Sequence, residues 1–439
     1  MRHVRERDTE TMALAAEPLD ERIESILRWA KAIDRRRAHD QSARIGALAT
    51  LWALLKFLVL AVGAPLWVPF ALFVANTHHR RAKRDIREFP TAVSSISRGR
   101  TPSTGADVVV RRPHSERIVI FSDLHRCVPG RLDWPRRQGT KSLYAEVLRR
   151  YADDGWTLCE NGDVEDFWMV GGSTLGATYD ALRLLGGALG DDRLSTALYR
   201  QYLAAIIDNN DEIYSVIASR FAADGRYLRT VGNHDDPLHH HEVARVLTDR
   251  LGPFPLADFI TLDDERGTMT ALIAHGHHTD GWNAPGRDRL GKFSTWLGNT
   301  IIDTPGLTLP EGLPPAGVAE LLRAEGPRDR LIELHPLIGA TTDYDSLDEE
   351  LLFASMRRER LLDTWLILGH THVPMQGPGS RFGGRWDRYV NGGSGIGERL
   401  ITGIEWDGSL DDPRPVLVGW TPGGTGQGSP ERFEIVPTR

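Results

Sequence analysis

RIVIFSDLH, residues 117–125, is a short apolar, β-branched run closed by an aspartate and a histidine. The pattern predicts a strand over Arg117–Ser122 that delivers Asp123 and His125 from its C-terminal end. It recurs four times. Trp156–Glu160 leads into Asn161-Gly162-Asp163-Val164-Glu165-Asp166, and Tyr227–Val231 into Gly232-Asn233-His234-Asp235. Met269–Ala274 leads into His275-Gly276-His277, and Trp365–Leu368 into Gly369-His370-Thr371-His372. Helical periodicity over 142–152, 192–220, 239–251 and 347–362 alternates with these runs, so an α/β fold is expected. In such folds polar ligands collect at the carboxyl ends of the strands.

Around these motifs lies a chain of 439 residues, 41% hydrophobic and 26% charged, which excludes collagen-like and wholly disordered classes. Two cysteines, Cys127 and Cys159, are too few for a disulfide framework and suit a reducing compartment. The net charge of −7 conceals a division. Residues 1–112 hold 20 Lys and Arg against 12 Asp and Glu, and the remainder holds 33 against 48, so the parts carry +8 and −15. So acidic a C-terminal part disfavours nucleic acid as a partner, because that affinity comes largely from Lys and Arg on phosphates.

The basic part contains an apolar segment, Ile45–Ala75, whose only charge is Lys56. It is long enough to span a bilayer and starts too deep in the chain for a cleaved signal peptide. We expect residues 1–44 to form a basic amphipathic helix region, 45–76 a hydrophobic helical membrane anchor, 77–112 a basic segment and linker, and 113–439 the catalytic domain. Basic residues flank the anchor equally, Lys31, Arg35, Arg36, Arg37 and Arg44 before it and Arg80, Arg81, Lys83, Arg84 and Arg87 after it. An interfacial hairpin and a tilted single span both fit that balance.

The ordered set DxH, GDxxD, GNHD, His-Gly and GHxH resembles the signature of the calcineurin-like metallophosphoesterase superfamily over about residues 115–400. The resemblance implies a four-layer α/β/β/α sandwich. It implies one metal held by Asp123, His125, Asp163 and His372, and a second by Asp163, Asn233, His275 and His370, with Asp163 bridging. His234 would stabilise or protonate the leaving oxygen, and Asp235 would orient its ring. Imidazole with carboxylate and amide oxygen suits Mn, with Fe or Zn as alternatives.

The expected activity is hydrolysis of a phosphoester or pyrophosphate bond by a hydroxide shared between two divalent ions. A Ser/Thr-type protein phosphatase or a nuclease would use the same centre, and a non-catalytic scaffold would be expected to have lost ligands. ENGDVEDFWMVGG, residues 160–172, and YVNGGS, residues 389–394, are similar to the bacterial UDP-2,3-diacylglucosamine diphosphatase branch. That likeness implies a phosphorylated small-molecule or lipid-linked substrate met at the membrane by a cytoplasmic catalytic domain. The chain departs from the branch in its N-terminal part and in an insertion at about 282–362, which contains TPGLTLPEGLPPAG.

Overall fold

A computed structural model describes residues 19–38, most of 50–65, 89–99, 108–280 apart from 131, 171 and 172, and scattered positions in 283–299. It also describes 352–376 apart from 373, 387–423 apart from 398 and 411, and 428–435. The strands form two mixed sheets. One holds six strands: β1 (Val109–Pro113), β6 (Phe259–Asp263), β7 (Met269–Ala274), β8 (Trp365–Leu368), β10 (Tyr389–Gly392) and β9 (Pro374–Gln376), in that order. The other holds β2 (Arg117–Phe121), β3 (Thr157–Asn161), β4 (Tyr227–Thr230) and β5 (Leu256–Ala257), all parallel. An antiparallel meander, β11 (Ile401–Asp407), β12 (Pro415–Gly423) and β13 (Gly428–Glu434), extends it beside β2.

Why the run Ile118–Phe121 is apolar throughout follows from its place. Ile118 and Ile120 face one cluster, shared with Ile260, Ile273 and Ile367 of the other sheet, while Val119 and Phe121 face another, shared with helical residues. Side chains alternate across a strand, and here both faces are covered, so no polar face remains. Each such burial contributes about 1.5–3 kcal/mol. The helices Thr140–Asp153, Asp192–Asn209, Asp211–Arg220 and His241–Leu251 supply the cluster on the seven-stranded sheet. The 192–220 pattern is thus two helices, because Asn210 turns its side chain back to the Ile206 carbonyl.

The linker assignment over 77–112 needs correction. Residues 89–97 are helical, and Phe89, Val93 and Ile96 are buried against Phe259, Leu272 and Leu366 of the six-stranded sheet. The boundary expected at 113 falls inside β1, which pairs in parallel with β6. Residues 352–358, assigned to the insertion, are likewise a helix whose Leu352, Phe353 and Met356 pack on that sheet. The remainder of the insertion from 301 to 351, which includes the proline-rich stretch 305–315, lies outside the described residues.

The helix Leu19–Ala38 packs on the main body through Ile23, Leu27 and Ala30. Asp34 caps the helix Thr174–Leu189 by accepting from the amides of Thr174 and Leu175, 2.9 Å each. Of the segment expected to enter a membrane, 45–49 and 66–76 lie outside the described residues. Among the described residues no helix is long and apolar enough to cross a membrane.

Candidate metal centre

All five motif strands deliver their polar residues from the C-terminal end, β2, β3 and β4 from one sheet and the parallel pair β7 and β8 from the other. Pairing continues past the strand ends. The amides of Asp123 and His125 donate to the carbonyls of Gly162 and Asp163, and that of Gly369 donates to His275. Neighbouring ligand loops are therefore fixed to each other by backbone.

Three groups of donors result. Asp123, His125 and His372 form one, Asp163, His275 and His370 a second, and His125, Asp166 and His234 a third. The first two sets bring together the residues expected to hold metal. In the first, Nε2 of His372 lies 3.0 Å from Nε2 of His125 and 3.1 Å from Oδ1 of Asp123. In the second, Nε2 of His275 lies 3.1 Å from Oδ2 of Asp163 and 3.3 Å from Oδ1 of Asn233. Ligand atoms about 3 Å apart are what a cation with bonds of about 2.0–2.2 Å requires.

The ring nitrogens facing away from the sets fix the tautomers. Nδ1 of His275 faces the Asn161 carbonyl at 3.0 Å, and Nδ1 of His125 faces Oδ2 of Asp166 at 2.7 Å. Neither partner can donate, so each Nδ1 carries the hydrogen and each Nε2 lone pair points into its set. His370 is held the other way round. Its Nε2 meets Oδ2 of Asp280 at 2.9 Å, leaving Nδ1 buried without a hydrogen-bond partner. Oδ1 of Asp123, also buried, meets only the His372 ring, 3.1 Å from Nε2, without a well-directed hydrogen bond. Inward lone pairs beside an unsatisfied carboxylate oxygen are the environment of a bound cation, and outer partners that orient ligating histidines are the usual support.

Backbone geometry agrees. Asp123, His125, Asp163, His370 and His372 have φ of 55°, 43°, 51°, 72° and 59°. They are five of the seven non-glycine residues with positive φ among the described residues. Each costs about 1–3 kcal/mol, a strain that collects at functional sites. Gly232 is required by close approach, since a Cβ there would stand 2.2 Å from Oδ1 of Asp163.

Without a cation the charges balance by protonation. Burial alone would lower His275, but Asp163 and Asp123 outweigh it and raise its pKa to about 9. Burial would raise Asp123, yet His372 and His275 bring it down to about 2. His234 sits at the rim, 14% exposed, with Nδ1 2.9 Å from Oδ1 of Asp166. Burial lowers it, and Asp166 and Asp163 raise it to about 9.

Asp235 does not orient that ring. It is fully buried and accepts from the amides of Gly232 and Val164 and from Arg229. The carboxylate on the His234 ring is Asp166, which also holds His125. The reason is reach: Asp235 points down to Arg229, itself buried between Glu160 and Glu165, whereas the Asp166 carboxylate lies between the two rings. The Asp163 carboxylate lies 3.1 Å from the His275 ring through Oδ2 and accepts from the His234 amide through Oδ1, while its main-chain carbonyl accepts from the His125 amide of the first set. Asp280 was missed in sequence, its signal being an acid five residues beyond His275 in HGHHTD. His277 is buried with Nδ1 unpaired, and burial pushes its pKa well below the ordinary value.

Cys127 and Cys159 are buried thiols whose pKa burial raises, and they stand outside both sets. No family model matches the chain and no curated protein matches it, so a functional assignment rests on the chemistry of these side chains.

Proposed function

We propose that the chain is a dinuclear metal-dependent phosphoesterase with the four-layer α/β/β/α sandwich of the calcineurin-like metallophosphoesterases. The observation that carries the reading is the fixed orientation of three histidines. His125 and His275 each have Nδ1 tied to an oxygen acceptor and Nε2 against their own set, and His370 has Nε2 tied to Asp280 and a buried Nδ1 without a partner. Asp123, His125 and His372 would hold one ion, and Asp163, Asn233, His275 and His370 the other, with Mn the best fit to this donor set and Fe or Zn as alternatives. Bound there, two divalent ions would supply Lewis-acid charge to a phosphoryl group and an activated water.

The protein's own residues do the rest. His234 sits partly exposed at the rim with Nδ1 on Asp166, and Asp166 favours its protonated form, as a proton donor to a leaving oxygen requires. Trp168 stacks on it with ring centroids 4.4 Å apart and restricts its swing. The substrate class that goes with this reading is a phosphorylated small molecule or a lipid-linked phosphoester.

The test is metal analysis of the purified chain together with hydrolysis of p-nitrophenyl phosphate and bis-p-nitrophenyl phosphate in Mn²⁺. Two ions per chain and turnover of either ester are expected. A chain that takes up no divalent ion and cleaves neither compound overturns the reading.

A further inference from the structure

The segment richest in apolar residues turns its single charge inward. Lys56 is 3% exposed, and its Nζ lies 3.3 Å from Oδ2 of Asp180, a fully buried carboxylate in the helix Thr174–Leu189. The same oxygen accepts from the indoles of Trp52 at 3.0 Å and Trp296 at 3.2 Å, and the other oxygen accepts from Arg183 at 3.1 Å. What remains outside carries no charge. Seven Leu, Phe and Val side chains between Leu51 and Val62 are 42–73% exposed, and Leu184, one turn beyond Asp180, and Leu185 are 41% and 50% exposed.

With Ile26 and Trp29 of the neighbouring helix Leu19–Ala38, these are eleven of the thirteen exposed large hydrophobic residues among the described residues. Apolar exposure on that scale in one region marks an interaction surface. The sequence around it carries Arg35, Arg36, Arg37 and Arg44 on one side and Arg80, Arg81, Lys83, Arg84 and Arg87 on the other, a complement to anionic head groups.

We propose that this face docks on an anionic lipid bilayer, the helical segment lying in the interface while the Lys56–Asp180 pair fixes it to the body of the protein. The pair holds the middle of the apolar segment on the protein, where a crossing segment would have to leave it. The surface also adjoins the metal centre. Lys292, near Trp296 in sequence, lies 2.7 Å from Asp236 and over the Trp168 ring, and Asn299 donates to the Trp168 carbonyl at 2.8 Å. Trp168 in turn stacks on His234. On the phosphoesterase reading, the rim of the site therefore opens beside the bilayer. The docking surface itself does not depend on that reading.

The experiment is co-sedimentation of the full chain with phosphatidylcholine vesicles, with and without phosphatidylglycerol. The proposal expects binding that requires the anionic lipid and is released by alkaline carbonate. The double variant Leu58→Asp/Val62→Asp, and separately Leu185→Asp, should each weaken binding about tenfold or more at an unchanged melting temperature. Binding indifferent to all three substitutions overturns it. So does release by detergent alone, which would mean a spanning segment, or a dimer in solution that these substitutions dissociate, which would mean a second copy on the face. Hydrolysis is not read in this assay, so loss of the catalytic reading leaves the outcome intact.

Discussion

His234 and Asp235 are adjacent in sequence, yet their side chains do opposite jobs. His234 sits at the rim between Asp166 and Trp168, where removing it leaves the Asp123–His125–His372 and Asp163–His275–His370 sets whole. His234→Ala is expected to keep its divalent metal content and lose about 10²- to 10⁴-fold in turnover, read by metal analysis beside steady-state kinetics. Asp235 is buried against Arg229 and ties the loop after β4 to the loop after β3. Asp235→Ala removes one of three carboxylates from a buried guanidinium and leaves the Gly232 and Val164 amides without their acceptor, and it should cost about 1–3 kcal/mol of stability, measured by denaturant unfolding. A variant that folds normally but is selectively slow would return Asp235 to a role on His234.

At the scale of elements, the sheets explain both what was legible and what was not. The motif strands are legible because a strand and the residue that follows it are contiguous, so RIVIFSDLH states its own candidate ligands. The meander β11–β13 and the helix Thr174–Leu189 carry no ligands, and the sequence reading did not assign them. Residues 89–97 are deceptive for a different reason. Their Ser and Thr content looks like a linker, and only contact with Phe259 and Leu272 shows Phe89, Val93 and Ile96 to be core. A chain starting at residue 114 would lose these three side chains and strand β1, which leaves β6 unpaired on that edge. Burial worth about 1.5–3 kcal/mol per side chain would go with them, so that chain should melt well below one starting at residue 86. Equal melting temperatures in calorimetry would restore the linker.

For the whole molecule, the proposed metal binding would couple the donor sets to protons and stability. In the metal-free chain His234 and His275 are raised from 6.5 to about 9, so their stabilising effect is full below pH 6.5 and is lost as pH rises through about 9. Asp123, lowered from 3.8 to about 2, contributes above pH 3.8 and loses that only in strong acid. The melting temperature of the chelated chain should therefore fall between pH 6.5 and 9. Divalent ions bind the neutral rings, so loading should release protons and reverse the decline. Calorimetry across that range, with and without Mn²⁺, checks the sign.

Sequence by itself determined the α/β alternation, the candidate ligands at five strand ends and the uncharged run broken only by Lys56, because each is a local pattern. Tertiary structure alone decided which ring nitrogen of each histidine is tied down, that Asp166 rather than Asp235 holds His234, and that Lys56 is buried. Those outcomes depend on partners far apart in the chain, 90 residues for His370 and Asp280 and 124 for Lys56 and Asp180. No local pattern encodes such a pairing, since the energy that selects it arises only when the sheets and helices pack.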